Sequence, residues 1–119
     1  TVDKVIKRII KLEHEALQKL EWNCRGDNYN LRKKIISFRA SGVRVKRGSQ
    51  APTLIASSTT HTPYLHWKNR YMSFEECLKI QGFNKLKSYP QSLERFQFSI
   101  GNAVNVKVVS KIAFNLLKH

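Results

Sequence analysis

Acidic side chains are scarce in this 119-residue chain: 8 Asp and Glu stand against 22 Lys and Arg, giving a formal charge of +14 and a pI of about 10.2. Such a surplus of Lys and Arg points to a polyanion, nucleic acid foremost, because each one that neutralises a phosphate releases a condensed counterion; the plainer alternative is a merely soluble basic surface. Cysteine is almost absent. Cys24 and Cys77 lie far apart with no CxxC spacing, which argues against a disulfide framework and a zinc site and leaves two reduced, partly buried thiols. His14, His61, His66 and His119 have no ligand spacing, so no metal is expected. No apolar run comes near the roughly 18 residues that span a membrane, and Thr1 opens no signal-peptide pattern. The expectation is a soluble, intracellular protein with no membrane partner. There is no internal repeat and no low-complexity tract, and 41% hydrophobic residues suffice for one folded domain with a modest core.

The pattern that is present divides the chain. Val2, Val5, Ile6, Ile9, Ile10, Leu17 and Leu20 recur at helical spacing among Lys and Glu, which predicts an amphipathic helix from Val2 to about Leu20. The turn-rich EWNCRGDNYN (Glu21–Asn30) predicts a loop. KIISFR (Lys34–Arg39), GVRVKR (Gly42–Arg47), PTLIAS (Pro52–Ser57) and PYLHW (Pro63–Trp67) are short β-branched or aromatic runs set apart by Ser, Gly and Thr, and they predict strands. Ser73 and Glu76 have the spacing of a capping box, with Cys77, Leu78 and Ile80 as apolar cover and Gly82 as the stop of a short helix. The final stretch predicts a Gly101-Asn102 turn followed by a helix. Its face of Val104, Val108, Ile112 and Leu116, flanked by Val109, Ala113 and Leu117, is broad enough to be buried. The fold class expected is mixed α/β (α+β): an N-terminal helix and loop over 1–32, a small irregular β-rich region over 33–69, and C-terminal helices over 70–119.

Two blocks in this order, RYMSFEECLKIQGF (Arg70–Phe83) and FSIGNAVNVKVV (Phe98–Val109), resemble the last two sequence motifs of the DNA cytosine-5 methyltransferases. The first is similar to the family's Arg, hydroxyl, Glu and Gln-Gly-Phe pattern, and the second to its Gly-Asn-Ala-Val turn into a closing helix. Upstream, RASGVRVKRGSQAPTLIAS (Arg39–Ser57) resembles the end of the family's target-recognition region, including a Thr-Leu pair at Thr53 and Leu54. The resemblance is to the C-terminal part of such an enzyme and covers Arg39 onward. Departures are the Glu75-Glu76 pair in place of a basic residue, Asn84 after Gly-Phe, and Asn105 and Val106 where prolines are common.

The family's catalytic apparatus is missing: the chain has no Pro-Cys dipeptide for the nucleophile, no Glu-Asn-Val motif and no Gly-rich N-terminal loop for S-adenosylmethionine. Addition of a thiolate to the cytosine ring requires the first of these. Cys77 sits in the wrong motif to replace it, so no catalytic residue is expected here. What the resemblance implies for this stretch is recognition of double-stranded DNA and closure of the site around a flipped cytosine. Thr53 then corresponds to a phosphate contact near the flipped base, against the plainer role of a Thr filling a strand. Arg39, Arg44, Lys46 and Arg47 surround it; any of them could read a guanine edge in the major groove or bind phosphate alone. Arg70, Glu76, Gln81, Gly82 and Gly101 carry the structural motifs, with Arg70 organising the recognition region from within. Asn102 and Ala103 border the methionine end of S-adenosylmethionine in the complete enzyme, unless Gly101-Asn102 is only a helix-entry turn. The implied partner is a catalytic N-terminal portion, in the same chain or as a separate subunit, in the bacterial or phage cytoplasm and a restriction-modification setting. The competing reading is a non-enzymatic basic nucleic-acid-binding module, which would bind with a steep salt dependence and never restore methyl transfer.

Overall fold

The computed structural model describes residues 19–39, 41–56 and 61–118. The helix expected from Val2 lies outside the described residues except at Lys19 and Leu20, which are not helical: Leu20 opens a strand instead. Five strands, β1 (Leu20–Asn23), β2 (Lys34–Arg39), β3 (Gly42–Arg47), β4 (Tyr64–Leu65) and β5 (Arg70–Tyr71), form one mixed sheet in the order β1-β3-β2-β4-β5. A 3-10 turn, His66–Lys68, separates β4 from β5, and three helices follow: α1 (Phe74–Gln81), α2 (Leu93–Asn102) and α3 (Val106–Leu117). The mixed fold class expected from the sequence is the one observed. The chain groups into two compact units, one of 1–53 with 60–72, the other of 54–59 with 73–119.

In the first unit the β2–β3 hairpin is the centre. Arg39 pairs with Gly42, so two residues make the connection, and Gly42 takes φ +124°, a conformation that costs glycine little. β-branched Ile35, Ile36, Val43 and Val45 suit the pleated surface, and Ile36 faces Val45 directly. β1 lies parallel to β3, with Trp22 opposite Val45. Cys24, Leu31, Ile36, Val43 and Val45 form the core cluster, with Trp22, Phe38 and Tyr64 packed against it. The stretch read as a loop from Glu21 is therefore partly strand: Trp22 gains core burial through a pairing with β3 that local turn chemistry does not encode.

In the second unit α1 is capped as expected. The Ser73 hydroxyl accepts from the Glu76 amide, the Glu76 carboxylate accepts from the Ser73 amide, and Gly82 ends the helix at φ +83°. Such a cap contributes about 1 kcal/mol. Phe74 stacks on Phe96 of α2 with ring centroids 4.1 Å apart, and Tyr89 meets both rings edge-on. Three expectations are corrected here. Pro52–Ala56 is not a strand: Leu54 is buried, and the backbone at Ile55 and Ala56 lies against Gly101 of α2 instead of a sheet neighbour. The Gly101-Asn102 pair is the last turn of α2, a helix whose Phe96 and Ile100 are buried one turn apart. The chain turns only after it, and Asn105 caps α3 by accepting from the Val108 amide. Finally, the apolar face of α3 is exposed, with Val108 and Ile112 at 55% and Leu116 at 73%.

Candidate nucleic-acid interface

Alternation along a strand sends successive side chains to opposite faces, and the register sorts the basic residues accordingly. Arg44 sits across from Ser37 and Lys46 from Ile35, on the same face as Arg39. Arg47 sits across from Lys34 on the other face, the one that carries Ile36, Val43 and Val45. The sheet thus brings together Arg39, Arg44 and Lys46 and separates Arg47 from them. Burial and the neighbouring Arg44 guanidinium push the pKa of Arg39 down, with Glu21 opposing.

Each cation has a different amount of freedom. Arg39 Nη2 donates to the Thr53 carbonyl at 3.2 Å, which ties Thr53 to the end of β2. Arg44 Nε lies 2.8 Å from Glu21 Oε2, its register partner on β1, as a charge contact without a directed hydrogen bond. Lys46 has no polar partner among the described residues. Arg47 is consumed: its Nε donates to Asp27 Oδ1 at 3.0 Å and its Nη2 to the Arg25 carbonyl at 2.6 Å. Lys34 takes the other Asp27 oxygen, and these two cations, Lys34 first, hold the Asp27 carboxyl below its usual range against a smaller opposing effect of burial. Asp27 lies in a stretch that reads only as a turn, so nothing in the sequence marks it as the hub of this network. Thr53 is exposed and outside any strand, and its hydroxyl has no partner among the described residues. Arg70 is exposed in β5, where its Nη1 donates to the Tyr71 carbonyl at 2.9 Å.

The second unit joins three sequence blocks. The Gln81 amide donates to the carbonyls of Ile100 at 3.0 Å and Ala103 at 3.2 Å, while Asn105 Nδ2 donates to the Ile80 carbonyl at 2.8 Å. The end of α1 and the α2–α3 link are thereby stitched in both directions. A Cβ on Gly101 would fall 2.0 Å from the Ala56 amide nitrogen and 2.4 Å from the Ile55 carbonyl carbon, so only glycine lets α2 meet that backbone. Asn105 was not among the expected motif residues; its place four residues after Gly101, ahead of an apolar helix, is the capping signal that marks it.

Asn102 and Ala103 sit beside this stitch. Asn102 is exposed and donates through Nδ2 to the Phe98 carbonyl at 3.0 Å, leaving its oxygen as an outward acceptor. Ala103 is half-buried, its carbonyl held by Gln81. Cys24 and Cys77 are both free and buried. Burial, with the charges of Glu76 and Glu75 adding to it, pushes the Cys77 thiol up to about 11, which keeps it protonated and poorly nucleophilic at neutral pH. Among the described residues no cluster of three His, Cys, Asp or Glu could hold a metal ion, and no helix is long and apolar enough to cross a membrane.

The first unit thus gathers Arg39, Arg44 and Lys46 on one sheet face, and in the second Gln81 locks the end of α1 to the α2–α3 link. The profile of the C-5 cytosine-specific DNA methylases matches residues 3–118, and the chain belongs to that family. It is similar to the Type II methyltransferase M.AluI of Cellulosimicrobium cellulans, at 32% identity over 96 residues that make up 80% of this chain and 18% of that protein. The chain thus spans less than a fifth of the length of this curated relative. No solved structure matches it. Members of the family methylate DNA and generally draw the methyl group from S-adenosylmethionine.

Proposed function

We propose that this chain supplies target recognition and site closure to a DNA (cytosine-5-)-methyltransferase whose catalytic cysteine lies in another portion, joined to it or separate. The observation that carries this reading is the stitch of Gln81 to Ile100 and Ala103. It makes one rigid element of the two motifs that would close the site, while the chain has neither Pro-Cys nor Glu-Asn-Val. On the first unit, Arg39, Arg44 and Lys46 meet duplex DNA and Thr53 donates its hydroxyl to a phosphate. Arg47, held by Asp27, serves the fold.

Asn102 and Ala103 fit a bordering place against the cofactor. Asn102 offers an outward carbonyl oxygen, which suits the cationic methionine end, and Gln81 fixes the link that presents it. S-adenosylmethionine would supply the methyl group to a flipped cytosine; the rest of its site belongs to the catalytic portion. The exposed apolar face of α3 gives that portion a surface to cover, since Ile112, Phe114, Leu116 and Leu117 are all more than half exposed. By this reading the isolated chain is inactive, and its setting is bacterial or phage restriction-modification.

The test is complementation. A polypeptide bearing the Pro-Cys and Glu-Asn-Val motifs is mixed with this chain, and transfer of labelled methyl from S-adenosylmethionine to duplex DNA is followed. Activity in the mixture and in neither half alone is expected. Salt-dependent DNA binding with no restored transfer would instead make the chain a binding module that has lost its enzyme.

A further inference from the structure

A second basic feature lies on the opposite side of the hairpin from Arg39, Arg44 and Lys46. Asp27, Lys33, Lys34, Arg47, Gly48, Ser49 and Trp67 line a cleft of about 450 Å³, a volume in the range of small-ligand sites. Its walls are built. Lys33 adopts φ +56°, and its carbonyl accepts from the Gly48 amide at 2.9 Å, which folds the turn after β3 back onto the turn before β2. A Cβ on Gly48 would stand 2.6 Å from the Lys33 carbonyl oxygen and 3.4 Å from the Trp67 ring, so glycine there lets the turn, Lys33 and the indole come together. Trp67 is displayed by the 3-10 turn, closed by Asn69 at φ +52° donating its amide to the His66 carbonyl, and is 43% exposed.

The charge in the cleft is unbalanced. Three cations face one carboxylate, and both oxygens of that carboxylate are taken by Lys34 and Arg47. The Lys33 ammonium and the Ser49 hydroxyl have no polar partner among the described residues. A pocket with a surplus of positive charge, a free ammonium, a free hydroxyl and an exposed indole matches a ligand that carries an anion next to a flat ring. We propose that this cleft binds a nucleotide, with its base stacked on Trp67 and its phosphate held by Lys33 and Ser49. An unpaired nucleotide of a DNA strand is the occupant, because a paired base has no free face to offer the indole. The inference rests on the reading of this chain as DNA-facing, and it adds a site for single-stranded DNA away from the Arg44 face.

The experiment measures anisotropy of a fluorescein-labelled dT12 strand and of a labelled 12-base-pair duplex with the 119-residue chain, at several salt concentrations. Trp67→Ala should weaken dT12 binding about tenfold, as expected for loss of one base–aromatic stack, and leave duplex binding within twofold. Trp67→Phe keeps a ring and should recover most of the loss. Lys33→Ala should weaken dT12 binding and lower its salt slope by about 0.7, one single-strand phosphate contact. Competition by millimolar thymidine monophosphate, abolished in Trp67→Ala, would support a nucleotide site filled by the free nucleotide. Wild-type dT12 affinity in both Trp67→Ala and Lys33→Ala, with native circular dichroism and intact duplex binding, would overturn the cleft and leave the DNA reading standing. Failure of the wild-type chain to bind either DNA overturns both.

Discussion

The side-chain amide of Gln81 donates to the backbone carbonyl of Ala103, 22 residues away, at 3.2 Å, and to that of Ile100 at 3.0 Å. Both acceptors lie where α2 ends and helical carbonyls lack intrahelical partners, so one glutamine satisfies what the helix itself leaves open. Gln81→Glu has a similar shape but no donor. It should destabilise the chain by about 1–3 kcal/mol, the cost of leaving half-buried carbonyls facing a carboxylate. Urea denaturation reads this directly, and an unchanged midpoint would show that the stitch contributes nothing.

Gly101→Ala is the sharper test of the second unit. Its methyl group would overlap backbone atoms of Ile55 and Ala56, at 2.4 and 2.0 Å, which cannot swing aside as a side-chain tip can. A loss of about 1–3 kcal/mol or more is expected from such overpacking. Gly82→Ala, where the added carbon makes ordinary contacts of 3.4 Å but sits at φ +83°, should cost about 1 kcal/mol. Thermal melts of the two variants should rank them in that order.

Asp27 sets an acid limit. Lys34 and Arg47 hold its folded-state pKa below the unfolded value, so its contribution is complete above that unfolded value, near 3.9, and is lost as pH falls through the folded pKa. Asp27→Asn should therefore be less stable than the wild type at pH 7, and the gap should close as the pH falls below about 4. Glu75, lowered mainly by the Tyr89 hydroxyl that donates to it at 2.7 Å, leaves the variant some acid sensitivity of its own. Denaturation midpoints across that range check the convergence.

The strand register puts Arg44 and Lys46 on one sheet face and Arg47 on the other, and the proposed DNA contacts divide in the same way. In the assembled enzyme Arg44→Ala should weaken DNA binding and change sequence preference, whereas Lys46→Ala should weaken all sequences alike and lower the salt slope by about 1. Arg47→Ala should act on stability through Asp27 and leave discrimination unchanged. Binding isotherms on cognate and altered duplexes separate these outcomes, and equal discrimination in Arg44→Ala removes that residue from base readout.

Cys77, with its thiol raised to about 11 and 4% exposed, should resist a thiol-specific reagent at pH 8 until the chain unfolds. Timed labelling with and without urea, followed by mass mapping, tests this. Fast native labelling would contradict the burial of α1 against its neighbours.

Local chemistry made part of this protein legible from its residues. The Ser73 and Glu76 capping box, the Gly82 stop, the β2 and β3 runs and the surplus of positive charge each depend on neighbours within a few positions, and each is observed. The reading of a strand from Pro52 failed over Pro52–Ala56 because the backbone at Ile55 and Ala56 lies against Gly101 of α2, a contact across 45 residues. The short β1 at Leu20–Asn23 was illegible for the same reason, since its partner β3 supplies the pairing.

The sequence by itself determined the chemistry available: a surplus of positive charge, family motifs at Gln81–Gly82 and Gly101–Ala103, and the lack of a nucleophile motif. Tertiary structure alone decided how those residues are divided. Strand pairing put Arg44 and Lys46 on one face and Arg47 on the other, since a shift of one position along a pleated strand reverses a side chain. Long-range folding placed Asp27 between Lys34 and Arg47, and set Gly48 and Trp67 beside Lys33. Such pairings arise between residues distant in the chain, where composition and periodicity carry no record of the partner.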